Sequence, residues 1–155
     1  MIERAHFDKV KGFIDGARAA GATLVHGGQI RDTLGSGWYI EPTIFDNVTP
    51  EMRLFQEEVF GPVLAVTTFE TEEEAIQLAN QTDYGLAASL YTQNLRRAQR
   101  TACRIQAGTV SVNGFSEGDI TAPFGGYKTS GFGGRDKGME AFDQYTRTKV
   151  IWYVN

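Results

Sequence analysis

Phe7, Val10, Ile14 and Ala17 recur at three- and four-residue steps, so the chain opens on a helical apolar period, predicting a helix over residues 4–20. Gly21 follows the last turn, where a glycine commonly ends a helix. Thr23-Leu24-Val25-His26 predicts a short strand closed by Gly27-Gly28, and residues 38–45 read as extended chain broken at Pro42. Residues 62–69 then carry Val63-Leu64-Ala65-Val66, apolar on both faces, the pattern of a strand buried in a parallel sheet. Thr71 and Glu74 have capping-box spacing, Glu72 and Glu73 also favour a helix N-terminus, and Ala75, Ile76 and Ala79 form the helix face. Residues 86–91 are a second apolar strand. Asn94 can cap a following helix whose stripe is Leu95, Ala98, Ala102 and Ile105; Gly108 ends it, and Thr109-Val110-Ser111-Val112 is a third strand. Strand, helix, strand, helix, strand with short links predicts an α/β fold, a parallel βαβαβ sheet flanked by helices. Beyond Asn113 a glycine-rich stretch runs to Gly138, interrupted by Pro123. Asp136 is expected to cap a short helix through about Phe142, and residues 145–154 form a long β-prone end. No internal repeat, low-complexity tract or interdomain linker interrupts this order.

Composition narrows the function classes. The chain has 155 residues, 41% hydrophobic and 22% charged, the balance of an ordinary soluble globular protein with room for a core. A net charge of −4 argues against a nucleic-acid surface, which needs a basic excess. No apolar run approaches the roughly 20 residues needed to span a bilayer, and Met1-Ile2-Glu3-Arg4 is too charged for a signal peptide, so neither a membrane nor export is expected. A single cysteine excludes an internal disulfide framework and fits a reducing cytoplasm. His6 and His26 are too few and too scattered for a metal site.

Three blocks carry the candidate chemistry. They are Gln56-Glu57-Glu58-Val59-Phe60-Gly61-Pro62-Val63, then Asn80-Gln81-Thr82-Asp83-Tyr84-Gly85-Leu86-Ala87, then Pro123-Phe124-Gly125-Gly126-Tyr127-Lys128-Thr129-Ser130-Gly131. In this order and at these spacings they closely resemble the aldehyde dehydrogenase superfamily. The resemblance runs from about Phe7 to the C-terminus and covers only the last third of such an enzyme. It implies that residues 1–144 are the C-terminal part of a catalytic domain and residues 145–155 an oligomerisation strand.

Glu58 and Phe60 are two residues apart, so on extended chain their side chains point the same way and one ligand can meet both. The resemblance implies that Glu58 accepts hydrogen bonds from the nicotinamide ribose hydroxyls of NAD or NADP, with Phe60 packed beside the nicotinamide. A carboxylate suits the ribose because it accepts two hydroxyl donors at once. A turn glutamate beside a core phenylalanine is the competing local reading. Asn113 ends the third strand, where ligand sites gather in open α/β sheets. By resemblance Phe115 and Phe124 line an aldehyde tunnel and Asn113 supports the loop, although an asparagine is also a common turn former. Glu117 and Asp119 lie in the loop between them. A carboxylate at a tunnel mouth favours a substrate with a remote amine, and the loop is similar to that of amino-aldehyde and γ-glutamyl-aminobutyraldehyde dehydrogenases. Solvated loop acids are the plainer explanation.

Two tempting assignments fail on spacing. The glycines from Gly125 to Gly134 are no phosphate loop, since Lys128 and Thr129 precede Gly131 rather than follow the closing glycine. They are expected to permit tight turns. Cys103, the only thiol, lies within a helical pattern beside its apolar stripe and is expected to be a buried structural residue. The resemblance places the thiolate nucleophile, the general base and the nucleotide-binding half upstream of residue 1. The whole enzyme would oxidise an aldehyde to an acid through a cysteine thiohemiacetal and thioester, and this chain alone is expected to be inactive. Val150, Ile151, Trp152, Tyr153 and Val154 would be an aggregation hazard as a free edge, and the resemblance implies that they join a homodimer or homotetramer. A non-catalytic assembly module or a gene remnant on the same half-fold is the alternative reading.

Overall fold

The computed structural model describes residues 1–30, 37–115 and 118–154. They fall into two compact units, Met1–Thr82 and Asp83–Asn155.

In the first unit α1 spans Arg4–Ala19 and buries Phe7, Val10, Phe13, Ile14 and Ala17 along one face. Its end is a Schellman turn. Gly21 adopts φ +91°, its N–H donates to the Arg18 carbonyl at 3.1 Å, and the Ala22 N–H donates to Ala17 at 3.0 Å. β1 (Thr23–His26) pairs antiparallel with β2 (Thr43–Asp46), and β2 pairs in parallel with β3 (Val63–Ala65). β2 sends Thr43 and Phe45 inward, and Phe45, wholly buried, meets Val10, Phe13, Ile14, Ala17, Val48, Leu54 and Val59 in the core cluster. The short helix α2 (Arg53–Gln56) packs on α1. At α3 (Glu72–Asn80) the Thr71 hydroxyl accepts from the Glu74 N–H at 3.1 Å, while the Glu74 carboxylate reaches back to the Glu70 N–H at 2.8 Å. This is the capping-box spacing with its return bond one residue upstream.

The strand expected over 62–69 shortens to three residues and is not covered on both sides. Val63 and Ala65 pack on the α1 cluster, but Leu64 is 56% exposed, because the unit's core lies on one face of the strand only.

In the second unit β5 (Ala87–Leu90) and β6 (Thr109–Val112) pair in parallel around the crossover helix α4 (Leu95–Arg104). Asn94 caps α4 by accepting from the Arg97 N–H at 3.0 Å. A two-residue ladder joins β4 (Tyr84–Gly85) to β7 (Tyr127–Lys128). The mixed α/β architecture with parallel strands agrees with the sequence pattern, although several local expectations need correction. α4 buries Ala98 and Thr101 and leaves Leu95 largely exposed. Asp136 is not a cap: its backbone bridges Phe124, and the terminal helix is a 3-10 turn, Met139–Gln144, that follows Gly138 without a side-chain cap. Residues 146–154 form no strand within the chain, and Val150, Ile151, Trp152, Tyr153 and Val154 are exposed, since a β-prone segment becomes a strand only against a ladder partner. Among the described residues no helix is long and apolar enough to cross a membrane.

Phe45→Ala empties the centre of the first unit and should lower its stability by about 3–5 kcal/mol. Urea unfolding followed by tryptophan fluorescence measures this; a loss under about 1 kcal/mol would show that the core closes without that ring.

Candidate functional site

Residues 53–61 lie along one face of α1. The Arg53 guanidinium sits 4.1 Å from the Phe13 ring centre and forks onto Glu57, with Nε to Oε1 at 2.9 Å and a terminal nitrogen to Oε2 at 2.8 Å. Hydrogen bonding to Arg53 holds the Glu57 carboxyl below its ordinary pKa. Val59 then enters the core, 8% exposed, and the residues on either side of it face outward. Phe60 is 71% exposed. No hydrogen bond or ion pair engages the Glu58 carboxylate among the described residues, in contrast to its paired neighbour. Of the two adjacent acids, Glu58 is the one whose carboxylate is wholly unengaged among the described residues, whereas Glu57 already accepts two bonds from Arg53.

The backbone here departs from simple extension. Glu57 is extended (φ −118°, ψ 143°), but Phe60 takes φ +57°, the left-handed region that aromatic residues rarely occupy. Strand alternation therefore does not carry through residue 60; burial of Val59 is what leaves both flanking side chains outside. Two α1 side chains reach this turn: His6 Nε2 lies 2.6 Å from the Phe60 carbonyl, and Lys9 Nζ donates to the Glu58 carbonyl at 3.3 Å. Gly61 is required by contact, since a Cβ there would lie 2.7 Å from Val10 Cγ2. His6 and Lys9 were not legible as part of the site, although their place on the turns bearing Val10 and Phe13 was an available signal.

In the second unit Asn113 takes φ +55° at the end of β6. Its side-chain oxygen accepts from the Thr92 N–H at 2.8 Å, and its Nδ2 donates to the Thr92 carbonyl at 2.9 Å. The amide thus acts as one more rung joining the ends of β5 and β6. Phe115 follows, 84% exposed. Asp119 accepts at one carboxylate oxygen from the Thr121 N–H (2.9 Å) and hydroxyl (2.8 Å). Those bonds, the backbone one foremost, hold its carboxyl below the ordinary value, with a smaller contribution from Lys137. Phe124 is partly buried, its ring 5.1 Å from Lys137 Nζ, and its backbone exchanges hydrogen bonds with Asp136 at 2.6 and 2.7 Å. Glu117 lies outside the described residues.

Two of the three sequence blocks meet directly. Besides the Tyr84–Lys128 ladder, the Thr129 N–H donates to the Asp83 carbonyl at 3.1 Å, and the Gly85 N–H donates to Ser130 Oγ at 3.1 Å. Gly108 lets the third strand approach the glycine-rich segment, where a Cβ would lie 1.6 Å from the Gly125 carbonyl oxygen. Cys103 is exposed, which overturns its expected burial. It lies two residues beyond the buried Thr101, about 200° around the helix. Among the described residues no group of three or more His, Cys, Asp and Glu could hold a metal.

Comparison with known proteins places these features in one family. The profile of the aldehyde dehydrogenase family matches residues 1–151. Aminoacetaldehyde dehydrogenase of Pseudomonas aeruginosa is 53% identical over 152 residues, covering 98% of this chain and 30% of that protein. Betaine aldehyde dehydrogenase of Cereibacter sphaeroides is 47% identical, covering 98% of this chain and 31% of that one. A crystal structure of indole-3-acetaldehyde dehydrogenase complexed with NAD+ superposes with a TM-score of 0.90 at 52% identity, over 95% of this chain and 30% of its own. The chain thus spans about a third of the length of these relatives.

Asp119 should titrate below the ordinary aspartate value of 3.8, and Thr121→Ala should raise it toward that value by removing the hydroxyl bond. Being depressed, this carboxylate supports its turn above the ordinary value and loses that role as pH falls through the lowered one. NMR titration of the side-chain carboxyl decides the point; an unshifted Asp119 would show that the turn does not bind the charged form.

Proposed function

The chain belongs to the aldehyde dehydrogenase family, and we propose that it is the C-terminal part of an NAD- or NADP-dependent enzyme oxidising an aldehyde to a carboxylic acid. The observation that carries this reading is the Glu58 carboxylate, without a partner among the described residues, beside the exposed Phe60 ring, with Val59 anchored in the core between them. Those groups fit a nicotinamide ribose: a carboxylate with free lone pairs for two adjacent hydroxyls, and an aromatic surface for the attached ring. Glu57 fits less well, because each of its oxygens already accepts a bond from Arg53. When bound, the nicotinamide supplies the hydride acceptor for aldehyde oxidation. The contribution of Glu58 and Phe60 is to orient: they restrict the ribose and leave the reacting face in register, the kind of fixation that lowers the entropic part of a barrier. Under this reading the thiol nucleophile and general base come from outside residues 1–155.

Asn113 would support the loop that carries Phe115, Asp119 and Phe124 at the substrate tunnel. Asp119, held ionised by Thr121, would favour an aldehyde bearing a remote amine; the relatives named for aminoacetaldehyde and betaine aldehyde support a substrate with a cationic nitrogen. The exposed apolar side chains at residues 150–154 support pairing with a second copy in a homodimer or homotetramer.

Three outcomes test the proposal. The isolated 155-residue chain should show no NAD- or NADP-dependent aldehyde oxidation; measurable turnover would overturn its reading as an incomplete enzyme. In the complete protein, Glu58→Gln should weaken cofactor binding by roughly tenfold, as loss of a charge-assisted hydrogen bond implies; unchanged binding, read by calorimetry, would remove Glu58 from the clamp. The kcat/KM ratio for an aminobutanal over an unsubstituted aliphatic aldehyde should fall on Asp119→Ala, and an unaltered ratio would end the amine-recognition role.

A further inference from the structure

We propose that His6 is a positioning residue for the Glu58–Phe60 clamp, acting through its hydrogen bond to the Phe60 carbonyl. This rests on the reading of Glu58 and Phe60 as cofactor ligands. The geometry is local and specific. Phe60 holds φ +57° with no glycine to ease it, so something outside the residue must stabilise that conformation. The residue's own side chain cannot do so, since it is exposed and only grazes the His6 ring at 6.3 Å between centres.

What holds the turn is its backbone. A carbonyl can only accept, so His6 Nε2 carries the hydrogen in the 2.6 Å contact, which fixes the orientation of the Phe60–Gly61 peptide. The next residue is pressed against Val10, where Gly61 has no room for a Cβ, and two residues before Phe60 the Glu58 carbonyl takes the Lys9 ammonium at 3.3 Å. His6, Lys9 and Val10 are spaced i, i+3 and i+4, one face of α1, so a rigid helix grips the turn at three points. Of these, the His6 bond is the one that acts on the peptide immediately following the left-handed residue. Without it the Phe60–Gly61 peptide loses this anchor, and the separation of carboxylate and ring is less closely fixed while the core beneath, through Val59, stays packed. His6 itself is only partly buried, so its removal leaves no cavity.

The test uses the complete protein with His6→Ala, His6→Leu and His6→Gln. Ala and Leu remove the donor, Leu while keeping bulk, whereas Gln retains an N–H able to reach a carbonyl. The cofactor Kd and KM should rise roughly three- to tenfold in the Ala and Leu variants, with aldehyde KM unchanged, and return to within about twofold of wild type in His6→Gln. Thermal unfolding verifies that each variant is folded, and Leu replaces Ala as the deciding variant if Ala lowers the midpoint. Wild-type cofactor binding with Ala and Leu variants equal to it would overturn the role of His6 alone. A wild-type protein that binds neither NAD nor NADP would instead overturn the clamp reading beneath it. Equal loss in the Gln and Ala variants would show that the histidine ring, not its donor, is what matters, and would also sink the proposal.

Discussion

Burial of Val59 against α1 is the constraint on which the candidate site depends. Val59 belongs to the cluster built by Val10, Phe13, Ile14 and Phe45, and this anchoring turns its two neighbours outward. Around that anchor each residue of the turn is held by a different contact: Glu57 by the Arg53 fork, the Glu58 carbonyl by Lys9, the Phe60 carbonyl by His6, and Gly61 by lack of space beside Val10. Hydrophobic burial supplies the free energy, and the polar contacts select one geometry from those that burial alone would allow. Within this braced turn no hydrogen bond or ion pair engages the Glu58 carboxylate among the described residues.

The second unit uses the same economy of backbone in another form. Asn113 extends the β5–β6 ladder with its side-chain amide, so the loop that follows leaves from a fixed point. The Tyr84–Gly85 segment and the residues from Tyr127 to Ser130 close on one another through main-chain and hydroxyl bonds. Glycine is needed at residue 108 because the main chain of residue 125 occupies the space of a side chain. The motif blocks recognisable in the sequence are thus, in part, the record of two segments that fit each other.

Much of the fold was legible because local physics acts within a few residues. The period of Phe7, Val10, Ile14 and Ala17 gave α1, Gly21 its end, and the Thr71 and Asn94 side chains the starts of α3 and α4. Errors arose where the outcome depended on something distant in sequence. The apolar run predicts a buried Leu64, but its strand has its core on one face only; Asp136, expected as a cap, has its backbone engaged by Phe124. The β-prone end at 145–154 carries the propensity of a strand without a ladder partner among the described residues. The apolar stripe beside Cys103 suggests burial, but Thr101 takes the inner position and the thiol faces outward.

The sequence by itself determined the order of the elements, the family resemblance and the pairing of an acid and an aromatic around Val59, because periodicity, capping and motif spacing are properties of neighbouring residues. Only the tertiary structure decided that Phe60 is left-handed and that His6 and Lys9 grip the turn. Those facts depend on a helix some fifty residues earlier in the chain being packed against it, and no local pattern encodes which carbonyl will lie within reach of which side chain.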